Sequence, residues 1–185
     1  MRKIVIYPAK ILRQKTERVE IIDKKVLREL NDLKKMLKNE ENGAGLAATQ
    51  IGVNKRFFGS KEFGGKEVFV YINPKIEKSY GKKVFPKIVG DNKKEEDFLE
   101  GCLSFPSYFG TVKRFLKIDV SWDELIKNEL IRKQKSLSGF EAIVWQHESD
   151  HLDGIVFIDH VKEDKGKFFK DVNGKMEDQN LKIFQ

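Results

Sequence analysis

The sequence has one cysteine and four prolines, and it lacks a long apolar run. A single cysteine, Cys102, excludes an internal disulfide framework and favours a reducing compartment. No apolar run approaches the roughly 20 residues that a membrane-spanning helix needs, and the short apolar stretch within residues 1–8 does not fit a signal peptide. We therefore expect the 185 residues to form one soluble, intracellular domain.

The charge is basic but evenly spread. Lysine and arginine number 36 against 29 acidic residues, which gives a net charge of +7. The lysines are scattered among glutamates and aspartates, and no nucleic-acid-binding module is recognisable, so a solvated surface is favoured over a nucleic-acid patch. Fourteen phenylalanines argue against intrinsic disorder.

Apolar residues at helical spacing predict two helices. The first spans residues 24–39, with Asp23 as its N-cap. The second follows Ser138, which forms a capping-box pattern with Glu141, and Gly154 offers a C-terminal stop.

The other segments give weaker signals. A strand is predicted at residues 66–72, ended by the Asn-Pro pair that follows, and extended structure at residues 111–122. Residues 123–137 fit either one helix or a pair of strands. The polar residues 78–97 are expected to form a mobile loop.

The second helix carries His147-Glu148-Ser149-Asp150-His151, an H-E-x-x-H motif. Residues four apart share a helix face, so both imidazoles can reach one metal ion. Glu148 projects beside that ion, where it can take a proton from water. The alternative is a pair of surface histidines, but the motif lies on the apolar stripe of the helix. A metal site is therefore the favoured interpretation.

The motif alone leaves the third metal ligand open. A metzincin would need histidine at position 157, where Phe157 stands, and a thermolysin-like protease would use Glu163 or Glu177. His160, nine residues after His151 and expected beyond the helix, is a further candidate, although it is more simply expected to be a surface residue. Cys102 could be an inert buried thiol, a nucleophile or a metal thiolate.

Three segments in order resemble the signature motifs of peptide deformylases. They are Gly43–Gln50 (Gly-Ala-Gly-Leu-Ala-Ala-Thr-Gln), Glu100–Ser104 (Glu-Gly-Cys-Leu-Ser) and Gln146–His151. The similarity extends from about Ile4 to about Val161. It implies an α+β fold in which antiparallel β-sheets wrap around the central H-E-x-x-H helix, with an N-terminal helix. We expect a catalytic domain over residues 1–165 and a peripheral polar tail over residues 166–185.

The resemblance implies a metal-dependent hydrolase that removes the N-formyl group from the initiator methionine of new polypeptides and releases formate. It assigns Cys102, His147 and His151 as ligands of one divalent metal ion, natively Fe(II), with Zn, Ni or Co able to occupy the site. Glu148 would be the general acid/base. The Gln50 side-chain amide and the Leu103 backbone N–H would stabilise the oxyanion.

Further residues match positions around the substrate. Gly45 would offer backbone hydrogen bonds to an extended peptide, and Leu103, Ile143 and Val144 would surround the methionine side chain. Arg114 and Asp150 match an ion pair that supports the helix.

The implied partners are N-formylmethionyl nascent peptides and, transiently, the ribosome, with no membrane and no specific nucleic acid. The implied compartment is a bacterial cytoplasm, or a plastid or mitochondrial matrix. A strong Lys, Ile, Phe and Asn bias fits an AT-rich genome on either branch. The alternative function is a zincin-type metalloendopeptidase, whose metal binding would survive Cys102→Ala. A non-catalytic RNA-associated module would instead be indifferent to Glu148→Gln.

Overall fold

The computed structural model describes residues 2–62, 64–90, 94–127 and 129–184. The helices are α1 (Lys24–Asn39), α2 (Gly139–Leu152) and α3 (Phe157–Glu163), with short 3₁₀ turns at Lys10–Arg13, Ala48–Ile51 and Leu181–Phe184. The strands are β1 (Gly45–Ala47), β2 (Phe57–Ser60), β3 (Phe69–Tyr80), β4 (Lys87–Val89), β5 (Glu95–Asp97), β6 (Glu100–Cys102), β7 (Phe105–Gly110), β8 (Lys117–Ile126), β9 (Glu129–Ser138), β10 (Phe168–Val172) and β11 (Lys175–Asp178).

The strands form antiparallel sheets, which confirms the predicted α+β class. A five-stranded sheet has the order β1-β2-β3-β8-β9, a four-stranded sheet the order β11-β10-β7-β6, and β4 pairs with β5. Helix α2 packs against β1, β2, β8 and β9, and its buried Ala142, Trp145 and Leu152 join the apolar core of the five-stranded sheet. Within the described ranges, no helix is both long and apolar enough to cross a membrane.

Helix α1 begins and ends where its sequence predicts. The Asp23 carboxylate accepts hydrogen bonds from the backbone N–H groups of Lys25 and Val26 at 2.8 and 2.7 Å, so two N–H groups that the helix leaves free are satisfied. The apolar stripe of the helix is buried against β1 and β2 through Val26, Leu30, Leu33 and Leu37.

Helix α2 begins directly after Ser138, as predicted, but without the predicted capping hydrogen bond. In the part of the chain that is described, the Ser138 hydroxyl bonds no helix N–H. Ser138 is also the last residue of β9, where it pairs with Lys117. The helix ends as expected before Gly154, whose φ of +74° favours glycine. An added Cβ at Gly154 would also lie 2.6 Å from the Arg13 carbonyl oxygen.

The predicted end of a strand at the Asn-Pro pair is wrong. Strand β3 continues through Asn73 and Pro74 to Tyr80, with a shift of register between Ile72 and Lys75. Asn73 has a φ of +50°, and its side chain bonds the backbone N–H of Val19 at 2.8 Å and Asp123 at 2.8 Å. The irregularity accommodates the proline because the missing N–H falls where the ladder is already interrupted.

The predicted mobile loop at residues 78–97 is also wrong in its described part. Strands β4 and β5 form a hairpin there, and Val84 makes an isolated bridge to Arg114. Residues 91–93 lie outside the described residues. The ambiguous segment 123–137 is a strand pair formed by the end of β8 and by β9, with Asn128 outside the described residues, whereas strand structure within 111–122 begins only at Lys117.

The polar segment after residue 165 is packed onto the body of the protein. Strand β10 pairs with β7, which in turn pairs with β6, the strand that carries Cys102. Phe168 is buried and shares an apolar cluster with Phe105 and Phe157, and Phe184 packs on the same cluster. Strand β10 and Phe184 therefore pack on the body of the protein, whereas β11 is exposed, and a domain boundary at residue 165 stays a prediction.

Candidate metal centre and its cleft

Three potential metal ligands converge from two elements. Helix α2 places the His147 and His151 rings one turn apart, with centroids separated by 5.0 Å. Strand β6 brings Cys102 to them, and its Sγ lies 3.2 Å from His151 Nε2. One donor atom from each of the three residues lies within 4.8 Å of the others. The structure thus brings together the three residues that the sequence resemblance singled out.

The chemistry of these donors fits a divalent transition metal. Metal–sulfur and metal–nitrogen distances of about 2.3 and 2.0–2.1 Å in a tetrahedral site imply donor separations of roughly 3.4–3.6 Å. The Cys102 Sγ–His151 Nε2 distance of 3.2 Å is close to these values. Burial lowers the pKa of His151 to about 3, so its ring is neutral and able to ligate. Burial acts similarly on His147, but Cys102 and Glu100 raise its pKa above the ordinary value, so metal binding would displace a proton there. Three protein ligands leave a position for water or substrate, as in catalytic sites.

Glu100 orients His147, a role that the sequence analysis missed. The Glu100 carboxylate lies 3.0 Å from His147 Nδ1, which leaves Nε2 for a metal. Strand β6 also carries Cys102, whose Sγ lies 3.2 Å from His151 Nε2. The contacts of Glu100 and Cys102 with the two histidines show that both side chains face α2.

Arg114 joins this carboxylate to the helix. Its guanidinium donates to both oxygens of Glu100, at 2.7 and 2.9 Å, and to Asp150 Oδ2 at 2.6 Å. Burial alone would raise the pKa of both carboxyl groups. The charge of Arg114 instead lowers the pKa of Glu100 to about 2. The hydrogen bond from His160 and the charge of Arg114 lower the pKa of Asp150 to about 2 as well. The expected Arg114–Asp150 contact is present, and it extends to Glu100.

Glu148 is buried and lines the same cleft as Cys102 and His147. Its side chain is buried, and among the described residues Oε2 has no hydrogen-bond partner. Burial raises the pKa of Glu148 to about 7, near the value that suits a general acid/base at neutral pH. Gly45 packs directly on it, since an added Cβ there would lie 2.7 Å from Glu148 Cγ and Cδ.

The side-chain amide of Gln50 points toward Cys102. Its Oε1 accepts a hydrogen bond from the backbone N–H of Ala47 at 2.8 Å, which fixes the orientation of the amide. Its Nε2 then donates to Ser104 Oγ at 3.2 Å and Cys102 Sγ at 3.4 Å. A fixed N–H donor of this kind can stabilise negative charge on an oxygen beside the metal.

Strand β1 forms an edge of the five-stranded sheet next to this donor. The Lys61 N–H donates to the Ala44 carbonyl oxygen at 2.9 Å, so Ala44 and Lys61 are a hydrogen-bonded pair of the β1–β2 ladder. Antiparallel pairs alternate, so the next pair, Gly45 and Ser60, is not hydrogen-bonded, and the Gly45 backbone groups point away from β2. Those groups are thus oriented to bond an extended peptide.

Lys61 supports the segment before Gly45, which sequence reasoning also missed. Its buried ammonium group donates to the Glu40 carbonyl oxygen at 2.5 Å, at the end of α1. Lys61 thereby holds both ends of the connection between α1 and β1.

A cleft of about 850 Å³ opens onto these groups. Leu103 lies in the turn between β6 and β7, and Ile143 and Val144 lie one turn before the histidines on α2. All three line the cleft together with Gly45, Gln50, Cys102, His147 and Glu148. The cleft therefore combines an apolar pocket with the polar groups.

The alternative third ligands of a zincin do not approach the histidine pair. Glu163 is on α3 with its side chain 81% exposed, and Glu177 is exposed on β11. Cys102 instead completes the cluster found among the described residues. His160 was expected at the surface, which is wrong: its side chain is only 12% exposed, and Nε2 lies 2.9 Å from Asp150 Oδ2. No local pattern signals this contact, because α2 and α3 are separated by a turn.

Comparison with known proteins agrees with this geometry. The family model described as Polypeptide deformylase matches residues 1–167. A peptide deformylase of Aquifex aeolicus is 39% identical over 166 residues, covering 88% of each chain. Peptide deformylase 2 of Clostridium acetobutylicum is 36% identical, covering 88% of this chain and 97% of that protein.

Solved structures lead to the same family. A crystal structure of a peptide deformylase from Legionella pneumophila superimposes with a TM-score of 0.72 at 33% identity, covering 86% of this chain and 85% of the other. The family match over residues 1–167 includes the five-stranded sheet, β6, β7 and the motif helix, well beyond the short motifs. The chain therefore belongs to the polypeptide deformylase family, whose members remove the N-formyl group from nascent polypeptides.

Proposed function

We propose that Cys102, His147 and His151 hold one divalent ion, natively Fe(II), which Zn, Ni or Co can replace. A thiolate with two imidazoles favours such ions over Mg and Ca, which prefer oxygen ligands. When bound, the ion supplies Lewis acidity, which acidifies water and polarises a carbonyl oxygen. The short distances among the three donors and the Glu100 contact to His147 support this assignment.

Glu148 acts as the general acid/base. Its buried carboxyl group, with a pKa of about 7, takes a proton from the water that attacks the formyl carbon. It then gives the proton to the amine nitrogen as the C–N bond breaks. The products are formate and a peptide with a free amino terminus, so atoms and protons balance.

Gln50 and the Leu103 backbone N–H stabilise the oxyanion that forms between these two proton transfers. The Gln50 amide is held by Ala47 and directed toward the Cys102 sulfur, the position that this role requires. One such donor contributes roughly 3 kcal/mol of transition-state stabilisation.

The substrate is an N-formylmethionyl nascent peptide that lies along β1. The outward backbone groups of Gly45 would pair with its main chain, as an added strand does. Leu103, Ile143 and Val144 would enclose the methionine side chain, an unbranched apolar group that suits the apolar part of the cleft.

We further propose that the protein works beside bacterial-type ribosomes, in a bacterial cytoplasm or in a plastid or mitochondrial matrix. The net charge of +7 supports a transient, salt-sensitive attraction to the ribosome without specific recognition of a nucleic acid or a membrane. Co-sedimentation with ribosomes at low and high salt tests it, and sedimentation independent of salt would contradict it.

The observation that carries the proposal is the Gln50 amide aimed at the Cys-His-His cluster inside an accessible cleft. The test measures formate release from formyl-Met-Ala-Ser by protein prepared without oxygen and loaded with Fe(II) or Ni. We expect turnover that Glu148→Gln abolishes and that the matched change Glu163→Gln, at an exposed carboxylate on α3, leaves intact. Absence of formate at full metal occupancy, or cleavage of the unformylated peptide, would overturn the assignment.

A further inference from the structure

His160 is the histidine that the proposed chemistry leaves without a role. It lies on α3, and its side chain is nearly enclosed. Its Nε2 is 2.9 Å from Asp150 Oδ2, which can only accept a hydrogen bond while it is ionised, so the imidazole donates. The second ring nitrogen faces outward, with the exposed Glu163 carboxylate 3.9 Å away.

Asp150 receives a second donor on the same oxygen. Arg114 Nη1 lies 2.6 Å from Asp150 Oδ2, while the Nε and Nη2 groups of Arg114 are both used by Glu100. Glu100 in turn contacts His147 Nδ1. A continuous series of hydrogen bonds thus runs from His160 through Asp150, Arg114 and Glu100 to a metal ligand.

The burial of this series is uneven. Arg114 and Glu100 are each only 3% exposed at the side chain, whereas Asp150 is 21% exposed. The Asp150 carboxylate is therefore the group in this series that can most easily turn toward water. The hydrogen bond from His160 keeps it in place. A buried network of hydrogen bonds holds its side chains in one arrangement only when every donor and acceptor in it has a partner.

We propose that His160 is a positioning residue for the metal centre. By donating to Asp150, it keeps that carboxylate against Arg114, and Arg114 then presents its other two donors to Glu100. Glu100 in this position fixes the His147 ring for ligation. The inference rests on the metal site proposed above and concerns how firmly that site retains its ion.

Loss of the His160 donor would loosen the series at its most exposed member. Asp150 would then no longer be held against Arg114, and the Arg114 guanidinium could shift away from its two hydrogen bonds to Glu100. Glu100 would no longer fix the orientation of the His147 ring. The consequence is faster release of the metal ion and an altered ligand field. Neither consequence follows if His160 merely fills space between α2 and α3.

The experiment uses the full chain loaded with Co(II) and three variants. His160→Phe keeps the ring volume without a donor, His160→Gln keeps an N–H donor near Nε2, and Lys162→Ala is the control on the same helix. The measurements are the rate of Co(II) loss to an excess of chelator and the visible absorption spectrum of the bound ion. We expect His160→Phe to release Co(II) about three- to tenfold faster, below the roughly 10- to 100-fold effect of removing a ligand's direct partner.

His160→Gln should restore the rate to within about twofold of the parent and also restore the spectrum, and Lys162→Ala should match the parent. Equal rates for His160→Phe and the parent, or equal losses in the Phe and Gln variants, would overturn the positioning role. A parent Co(II) spectrum that Cys102→Ala leaves unchanged would instead overturn the proposed metal site itself. The two failures are therefore distinguishable.

Discussion

Replacing Glu100 by glutamine tests whether its buried charge stabilises the fold. The Glu100 carboxylate accepts two hydrogen bonds from Arg114, and its pKa is about 2 instead of the ordinary 4.5. The two pKa values differ by about 2.5, and one pKa unit is worth about 1.4 kcal/mol, so the carboxylate contributes roughly 3–4 kcal/mol of folding free energy at neutral pH. Breaking a buried ion pair by removing one partner costs about 3–5 kcal/mol, a similar magnitude. We therefore expect Glu100→Gln to lower the free energy of unfolding by about 3 kcal/mol.

The pH dependence sharpens this prediction. Since the folded pKa lies below the unfolded one, the contribution of Glu100 is complete above about pH 4.5 and is lost as the pH falls through about 2. At pH 3 the free energies of unfolding of the parent and the variant should therefore differ by only about 1 kcal/mol. Asp150, whose pKa is also about 2, gives the variant a remaining acid sensitivity in the same range.

Urea unfolding of the metal-free proteins at pH 7 and pH 3 measures both differences. Glu129→Gln is the matched control, because Glu129 is an exposed carboxylate at the start of β9. It should change the unfolding free energy by less than about 0.5 kcal/mol. A Glu100→Gln protein as stable as this control at pH 7, or a deficit that does not shrink at pH 3, would refute the reasoning.

The remaining predictions concern the ligand, the cleft and the tail. Cys102→Ala should abolish stoichiometric Co(II) binding in equilibrium dialysis, whereas Glu163→Ala should retain it; the opposite pattern would favour a zincin. Gly45→Ala places a methyl group against Glu148, so kcat should fall roughly tenfold to a hundredfold at unchanged metal content, and full activity would contradict the packing. Removal of residues 166–185 exposes β7 and uncovers Phe157, so calorimetry should show a large loss of thermal stability. An unchanged melting temperature would support an independent domain that ends at residue 165.

Local patterns were enough to predict α1 and α2, whereas α3 was not predicted. Asp23 caps α1 through hydrogen bonds to residues two and three positions away, and the apolar spacing of that helix is a property of the sequence itself. The spacing of His147 and His151 likewise places both rings on one face of α2. Each of these signals lies within a few residues, so no knowledge of distant partners is needed.

The failures arise where distant partners decide the structure. Pro74 was expected to end a strand, yet β3 continues because the Asn73 amide bonds Val19 and Asp123. The hairpin of β4 and β5 forms in a segment whose polar composition favours a loop, and an adjoining bridge from Val84 to Arg114 ties it to the sheet region. Contacts over such separations leave no periodic trace in the sequence.

The metal centre combines both kinds of information. The two histidines are local to α2, whereas Cys102 reaches them only because β6 is held in place by β7 and by the Arg114 bridge between Glu100 and Asp150. One local signal was nevertheless available: Glu100 stands only two residues from Cys102 in the sequence, although the irregular pairing between Gly101 and Cys102 means that strand alternation alone does not set the direction of both side chains. A carboxylate beside a ligating thiolate is suited to orient a second ligand on a facing helix. The strand therefore supplies the third ligand and the residue that orients the first, so displacing β6 by one residue would remove both from the centre at once.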